Sequence, residues 1–220
     1  MFDWAIIVKY LPILSEAALL TLYISVISLV LGLVFGLAAA LARLSRNRLF
    51  YGIASFYIWL IRSTPLLVQL FLIYYGLPQF GLDLSPFVSG VLGLALNVGA
   101  YNAETIRGGI QSISHGQTEA ALSIDMNHAQ TMRRIILPQA VRNIIPPLGN
   151  NFIILIKDTS LVSTITLVEL TMKTQQLVGT TYKPFELYLA ATMLYAVMTT
   201  ATAMALRVVE KRMHLKTSRR

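Results

Sequence analysis

Long apolar runs, separated by short polar segments, dominate the pattern of this chain. The first run covers residues 19–42 without a charged side chain, and Arg43 follows it. Four further runs are predicted at about residues 51–77, 87–107, 135–156 and 187–207. Each is close to the roughly 20 residues with which an α-helix crosses about 30 Å of hydrocarbon. The pattern predicts an all-α, polytopic membrane protein whose single domain, residues 1–220, has five transmembrane helices.

The composition supports a membrane protein and excludes several kinds of chemistry. Of the 220 residues, 55% are hydrophobic and only 13% are charged, whereas about a quarter of the residues in soluble domains are charged. An unusually apolar soluble domain is excluded because long uncharged runs recur. Cysteine is absent, the three histidines are scattered, and no Gly-x-x-x-x-Gly-Lys-Ser/Thr phosphate loop occurs. We therefore expect no catalytic residue, metal site, cofactor or ATPase activity in this chain.

The distribution of basic residues predicts the orientation in the membrane. Twelve of the 18 basic residues lie on one side of the predicted spans: Arg43, Arg46, Arg48, Arg107, Arg133, Arg134, Arg207, Lys211, Arg212, Lys216, Arg219 and Arg220. Basic loops remain in the cytoplasm, so the N-terminus is expected outside and the C-terminus inside. The basic tail follows a span directly, which favours contact with anionic lipid headgroups over binding of nucleic acid.

The second predicted span contains a charged residue close to the middle of the membrane. Arg62 is followed by Ser63, Thr64 and Pro65, and the proline is expected to bend the helix because it has no N–H to donate. One interpretation is a polar bend that lines a substrate path. The other is a structural arginine paired with a carboxylate of a neighbouring helix.

The third predicted span places several polar residues on one helical face. Asn97, Tyr101 and Glu104 are spaced by four and three residues, which aligns them along one side of a helix. A carboxylate beside amides suits the ammonium group of an amino acid. Alternatively, Glu104 and Arg107 form a simple pair on the helix surface. The cost of an intramembrane charge favours the first interpretation.

The fourth predicted span is unusually polar for a helix that faces lipid. It contains Pro138, Arg142, Asn143, Pro146, Pro147, Gly149, Asn150 and Asn151. Polar or irregular backbone at membrane depth persists only where it is buried in protein or lines water, so this segment is expected at a pore or subunit interface. Asp158, at its outer end, is available either for a substrate ammonium, or for Lys157 or a helix cap.

A polar hairpin is predicted between the third and fourth spans, at residues 116–134. It contains the string EAALSIDM at residues 119–126, and RRIILP follows at 133–138. This stretch resembles the EAA loop by which permeases of ABC transporters engage their ATPase subunits. The tripeptide also occurs at Glu16, but without the rest of the string and on the predicted outer side.

Four further strings resemble polar amino-acid permeases of the ABC class. They are RSTPLLVQLF at 62–71, AYNAETIRGGI at 100–110, PPLGN at 146–150 and KDTSL at 157–161. The resemblance covers about residues 19–210. It implies a five-helix, MetI-like fold in the bacterial inner membrane. It also implies a second permease subunit, identical or paralogous, a pair of ATPase subunits that bind ATP and Mg²⁺, and an extracytoplasmic amino-acid-binding protein.

The resemblance also assigns roles to particular residues. The residues implied at the substrate path are Asn97, Tyr101, Glu104, Asp158, Ser63, Thr64 and Arg62. The residues implied in coupling to the ATPase are Glu119, Ala120, Ala121, Asp125, Met126 and Pro138. The segment 119–126 is the implied coupling helix.

Two departures from the family pattern affect these roles. Asp125 replaces a glycine that permits a tight turn in the EAA loop; aspartate tolerates turn conformations and is expected to cap the helix beginning near Met126. Ser63 replaces a glycine and narrows the passage. The strings YYGLPQFG at 74–81 and TMRR at 131–134 resemble cystine-type permeases. Arginine, glutamine, histidine and glutamate are the other substrates considered.

Two other classes of function fit this sequence less well. A stand-alone secondary carrier is commonly larger and internally repeated, whereas this chain has five predicted spans and no repeat. An intramembrane enzyme needs a Ser-His, paired-Asp or metal arrangement in the spans, and all three histidines lie outside them. The sequence favours an ATP-driven amino-acid import permease over both.

Overall fold

The computed structural model describes residues 2–213, so Lys216, Arg219 and Arg220 of the predicted basic tail lie outside the described residues. The described chain consists of helices joined by short connections and contains no strand. Its α-helices are α1 (Trp4–Leu44), α2 (Arg48–Ser63), α3 (Leu66–Phe71), α4 (Pro86–Gln111), α5 (His115–Ser123), α6 (His128–Thr131), α7 (Leu137–Asp158), α8 (Leu170–Thr181) and α9 (Pro184–Arg212). Two π-helical turns, Leu72–Gly76 and Met132–Ile136, and two 3-10 turns, Leu77–Phe80 and Thr159–Ile165, connect them.

Helix α1 is much longer than the span predicted at residues 19–42. It begins at Trp4, where the side chain of Asp3 accepts a hydrogen bond from the N–H of Ala5 and caps the helix. Its 41 residues correspond to about 60 Å of helix, roughly twice the hydrocarbon thickness. The helix therefore has enough length to extend well beyond the membrane on one side.

Length and apolar composition identify fewer spans than the sequence pattern predicts. Within residues 2–213, α1 and α9 alone are each long and apolar enough to cross a membrane, and the bent pair α2 and α3, with its π and 3-10 turns, is a third candidate. Helices α4 and α7 have 26 and 22 residues, but their polar side chains make them too polar to be identified as spans in this way. The five spans remain a prediction.

The predicted bend at Pro65 is present. Helix α2 ends at Ser63, Thr64 is extended, and α3 begins at Leu66, with an angle of 110° between the two halves. Proline has no N–H and disfavours helical geometry at the residue before it. The second predicted span is therefore a broken element.

Helix α1 joins the three apolar clusters of the core. The first links α1 to α7, α8 and α9, the second links it to α3, α4 and the turn Thr159–Ile165, and the third links it to α2, α4 and α7. Fully buried members include Leu14, Leu170 and Leu187 in the first cluster, Ile24, Leu70 and Leu94 in the second, and Ala40, Ala103 and Ala140 in the third. The relative positions of α2, α3, α4, α7, α8 and α9 thus depend on α1.

Two glycines bring α1 and α4 into backbone contact. A Cβ atom at Gly32 would lie 2.3 Å from Val98 Cγ1, and one at Gly36 would lie 2.8 Å from Asn102 Cβ and 2.9 Å from the carbonyl of Gly99. Such distances exclude any side chain without movement of a helix. The Gly-x-x-x-Gly pair therefore packs α4 within the chain, as small residues do between membrane helices.

A buried carboxylate fixes α8 against α1 and α9. Glu169 is fully buried, and its side chain caps α8 by accepting the N–H of Met172 at 3.0 Å. The same carboxylate accepts hydroxyl hydrogen bonds from Thr21 of α1 at 3.3 Å and Tyr195 of α9 at 2.9 Å. These three partners compensate for the removal of the carboxylate from water.

We predict that Gly36→Ala destabilises the protein by about 1–3 kcal/mol, because the added methyl group overpacks the contact between α1 and α4. Gly52→Ala is the matched control, since a Cβ there meets nothing within 4 Å and alanine favours a helix by about 0.5–1 kcal/mol. Thermal unfolding in detergent should show a lower melting temperature for the first variant alone. Equal melting temperatures would contradict the packing argument.

Candidate functional site

A cavity of about 370 Å³ lies where the break between α2 and α3 faces α4 and α7. Its wall is formed by Thr64, Pro65, Leu66, Asn97, Val98, Tyr101, Asn151, Ile154, Leu155, Asp158 and Leu161. The broken helix creates one side of this space because the chain turns away at Pro65 instead of continuing. The volume is in the range of small-molecule sites, which combine apolar walls with a few polar groups.

Four of the seven predicted substrate-path residues converge on this cavity. Thr64 comes from the break, Asn97 and Tyr101 from one face of α4, and Asp158 from the last turn of α7. The spacing of Asn97 and Tyr101 correctly placed both on one face. Asn151 also lines the cavity, although the sequence indicated only that it belongs to a polar segment.

The carboxylate of Asp158 forms neither a helix cap nor an ion pair with a nearby side chain of the described chain. Asp158 precedes the turn Thr159–Ile165 but makes no side-chain capping hydrogen bond. Within residues 2–213, its oxygens also form no ion pair with Lys157 or any other basic side chain within 4.0 Å. Neither of the two structural roles that the sequence offers for Asp158 is present in the described chain, and its carboxyl group lies at the cavity wall.

The amides on the cavity wall are oriented by hydrogen bonds to residues behind them. The Nδ2 of Asn97 donates to Oε1 of Gln69 at 3.0 Å, and the Nδ2 of Asn151 donates to Oδ1 of Asn102 at 2.9 Å. Both supporting residues are buried. Neither Gln69 nor Asn102 was predicted as a site residue, because a side chain that acts behind the wall has no signature in sequence spacing.

Glu104 lies outside the cavity wall, in a cluster with three arginines. Its carboxylate accepts two hydrogen bonds from Arg107, at 3.2 and 2.7 Å. Arg43 approaches it to 3.8 Å and Arg62 to 3.9 Å. The structure thus contains both pairings considered from the sequence, the helix-surface pair on α4 and the pairing of Arg62 with a neighbouring helix. One carboxylate among three guanidinium groups leaves an excess of positive charge.

Arg62 connects this cluster to the cavity. Its guanidinium lies 5.4 Å from the ring centroid of Tyr101, which is a wall residue. It makes no hydrogen bond to Glu104 among the described residues, and 43% of its side chain is exposed. Arg62 is therefore less constrained than Arg107. Ser63 is exposed and does not line the cavity.

The hairpin at residues 116–134 turns through a left-handed residue. Asp125 has φ of +60°. Its N–H donates to the carbonyl of Leu122 at 3.1 Å, and the N–H of Met126 donates to the carbonyl of Ala121 at 3.1 Å. This pair of bonds is the Schellman arrangement that ends many helices, with glycine favoured at the left-handed position. Asp125 occupies that position at the end of α5.

The expectation that Asp125 caps the following helix is wrong. That helix, α6, begins at His128, and its cap is Asn127. The Oδ1 of Asn127 accepts the N–H of Gln130 at 2.9 Å, while the Oε1 of Gln130 accepts the N–H of Asn127 at 3.0 Å. This reciprocal capping box satisfies two free donors of the helix. Asp125 is therefore free to present its carboxylate at the tip of the hairpin.

The hairpin exposes both charge and apolar surface. The side chain of Glu119 is 74% exposed, and Ile124 is 72% exposed. Ala121 is buried, whereas Ala120, Asp125 and Pro138 are exposed and Met126 is half-buried. The exposed isoleucine at this turn leaves apolar area that a partner could cover.

No metal site is evident in the part of the chain that the structure describes: within residues 2–213, no three His, Asp or Glu side chains are grouped closely enough to hold an ion.

Residues 32–215 match the family described as the binding-protein-dependent transport system inner membrane component. The nopaline transport system permease protein NocM of Agrobacterium fabrum (strain C58 / ATCC 33970) is 44% identical over 207 residues, covering 90% of this chain and 86% of the relative. The L-cystine transport system permease protein TcyB of Bacillus subtilis (strain 168) is 42% identical over 206 residues, covering 93% and 88%.

Solved structures agree with this assignment. A chain of an amino acid ABC transporter, crystallised with histidines, superposes with a TM-score of 0.93 at 42% identity and covers 96% of this chain and 99% of its own. A chain of the MetNI methionine ABC transporter in an inward-facing conformation has a TM-score of 0.75 at 17% identity, covers 91% and 95%, and shows the fold alone. The protein therefore belongs to the binding-protein-dependent inner-membrane transport family, as a permease subunit of an ABC amino-acid importer with a MetI-like fold.

Proposed function

We propose that this permease conducts a polar amino acid through the cavity beside Pro65 and binds it there during transport. The observation that carries the proposal is the unpaired carboxylate of Asp158 on a wall that also holds Asn97, Asn151 and Tyr101. A carboxylate and amide oxygens are acceptors, and an ammonium group offers three donors. The cavity supplies the recognition that the α-ammonium of an amino acid needs.

The charge around Glu104 supports the same substrate class. An amino acid also has a carboxylate, and the excess of guanidinium groups places positive charge behind Tyr101. Arg62, which is held most loosely, is suited to a planar carboxylate because guanidinium groups bind such groups in bidentate fashion. We assign Arg62 to the carboxylate and Asp158 to the ammonium. Glu104 holds the arginines together and offsets part of their mutual repulsion.

We propose a cystine-like substrate, with arginine, glutamine, histidine and glutamate as the other candidates. Two strings of this chain, at 74–81 and 131–134, resemble cystine-type permeases, and the relative TcyB belongs to an L-cystine transport system. Cystine has two ammonium and two carboxylate groups, which match a path that offers both signs of charge. The relative NocM belongs to a nopaline system, so overall sequence identity to relatives does not single out one substrate. The residues of the cavity wall must determine which amino acid is bound.

Energy is supplied, in this proposal, by an ATPase pair that binds ATP and Mg²⁺ and receives the hairpin of α5 and α6. The exposed Glu119 and Ile124 provide the contact. The hairpin faces the cytoplasm, the N-terminus lies outside, and an extracytoplasmic binding protein delivers the substrate. Two permease subunits, identical or paralogous, form the passage between them, and the chain itself hydrolyses no ATP.

Reconstitution into proteoliposomes tests this proposal. The permease, its ATPase and its binding protein should import radiolabelled L-cystine, with L-arginine, L-glutamine, L-histidine and L-glutamate as competitors. Uptake should require internal ATP and external binding protein. Uptake by the permease alone would indicate a secondary carrier and reject the proposal. Uptake of another member of the panel would reject the cystine assignment only.

We predict that Asp158→Asn raises the KM for uptake about tenfold or more, because a hydrogen bond to a charged group is replaced by a neutral one. Asp83→Asn is the matched control, since Asp83 lies in the exposed loop before α4 and outside the cavity. Initial rates of uptake over a range of substrate concentrations provide the measurement. An unchanged KM in the first variant would remove Asp158 from the site.

We predict that Glu119→Arg lowers ATPase-coupled uptake about tenfold or more, because a charge reversal in a docked interface opposes assembly. Glu16→Arg provides the control, since it changes the other EAA tripeptide, which is also exposed and is predicted outside. Co-purification of the ATPase and transport are measured in parallel. Normal assembly and transport with Glu119→Arg would refute the docking role of the hairpin.

A further inference from the structure

The proline that breaks the second span leaves a specific carbonyl without its usual partner. In a continuous helix, the N–H of residue 65 would donate to the carbonyl of Ile61, four residues earlier. Pro65 has no N–H. The preceding carbonyl, that of Leu60, is satisfied by the hydroxyl of Thr64 at 2.8 Å. The carbonyl of Ile61 therefore needs a donor from elsewhere in the protein.

Gln69 supplies that donor. Its Nε2 lies 2.8 Å from the carbonyl of Ile61, 3.1 Å from the carbonyl of Thr64 and 2.9 Å from the Thr64 hydroxyl. Gln69 is 8% exposed, and it lies in the first turns of α3, where the bend brings it back over the end of α2. One side-chain amide thus replaces the missing backbone N–H and closes the break.

This role fixes which end of the Gln69 amide faces the cavity wall. Two backbone carbonyls can only accept hydrogen bonds, so the nitrogen of Gln69 must point at them. Its oxygen then points the other way, toward α4, where Nδ2 of Asn97 donates to it at 3.0 Å. The orientation of the Asn97 amide is fixed in the same way. Its nitrogen donates to Gln69, whereas its oxygen makes no hydrogen bond to Gln69.

The oxygen of Asn97 is consequently left for the cavity. Asn97 is a wall residue, and within residues 2–213 no protein donor hydrogen-bonds to its Oδ1. Rotation of the amide by half a turn would place two oxygens against each other and would present N–H donors to the cavity. The hydrogen bond with Gln69 prevents that rotation, because the alternative orientation loses one bond and adds repulsion.

We propose that Gln69 is a positioning residue for transport, which holds Asn97 with its carbonyl oxygen toward the substrate so that the cavity wall accepts, and does not donate, hydrogen bonds at this point. The inference rests on the proposed function, in which this wall binds the ammonium group of an amino acid. It makes Asn97 and Asp158 two acceptors for one cation. The Pro65 break thereby determines both the shape of the cavity and the polarity of its wall.

A double-mutant cycle in the reconstituted complex of permease and ATPase, supplied with its binding protein, tests this role. Gln69→Met keeps the length of the side chain and removes its hydrogen bonds, and Asn97→Ala removes the amide that Gln69 orients. The probes are radiolabelled L-cystine, L-arginine, L-glutamine, L-histidine and L-glutamate, and the KM is measured for the one that the unmodified complex imports fastest. Gln176→Met, on the exposed surface of α8, is the matched control and should leave the KM unchanged.

Gln69→Met should raise the KM about three- to tenfold when Asn97 is present, the loss expected when one hydrogen bond is misaligned. It should change the KM less than about twofold in the Asn97→Ala background, because no amide remains to be oriented. The melting temperature should fall in both backgrounds, because the carbonyl of Ile61 loses its donor in either case.

The outcomes separate this inference from the proposed function. If the unmodified complex imports a probe and the two substitutions act independently on the KM, Gln69 is only a structural residue and the inference is overturned. An unchanged KM for Gln69→Met in the presence of Asn97 overturns it as well. If the unmodified complex imports none of the probes and is not stabilised by them, the proposed function itself fails.

Discussion

Every backbone polar group inside a membrane must find a partner within the protein, because lipid offers none. In this permease, that constraint operates most visibly at Pro65, which removes one donor and bends the chain by 110°. The hydroxyl of Thr64 and the amide of Gln69 satisfy the carbonyls that the break exposes. The same side chains form or support the cavity wall. The polar cavity beside Pro65 is therefore a direct consequence of how the break is repaired.

The second determinant is the close packing of α1 against α4. Gly32 and Gly36 allow the two backbones to touch, and α4 carries Asn97 and Tyr101 on the face that meets the broken helix. Interiors packed this tightly deform little, so the backbone of α4 that carries both residues is held in place. Further along α4, Glu104 gathers guanidinium groups from α1, α2 and α4 itself. One helix thus carries both a wall of the cavity and the centre of the charged cluster.

Much of this architecture could be predicted from local rules. Three features depend on residues that are close in sequence, and the structure agrees with each. They are the shared helical face of Asn97 and Tyr101, the bend at Pro65 and the tight turn at Asp125. The cap at Asn127 was missed because a capping box depends on reciprocal geometry with Gln130. Gln69 was missed because its partners on α2 and α4 meet only after folding. The full cluster around Glu104 was missed because Arg43 and Arg62 reach it from other helices.

The left-handed turn at Asp125 has a consequence for the choice of partner among related importers. A glycine there would satisfy the backbone equally well and would offer no side chain. The carboxylate instead adds a negative charge to the tip of an exposed hairpin, beside the apolar Ile124. A cleft lined by cations gains affinity from such a tip, whereas an acidic cleft is repelled. In a cell that contains several importers of one fold, a charge at this position would favour an ATPase with a basic cleft over one with an acidic cleft.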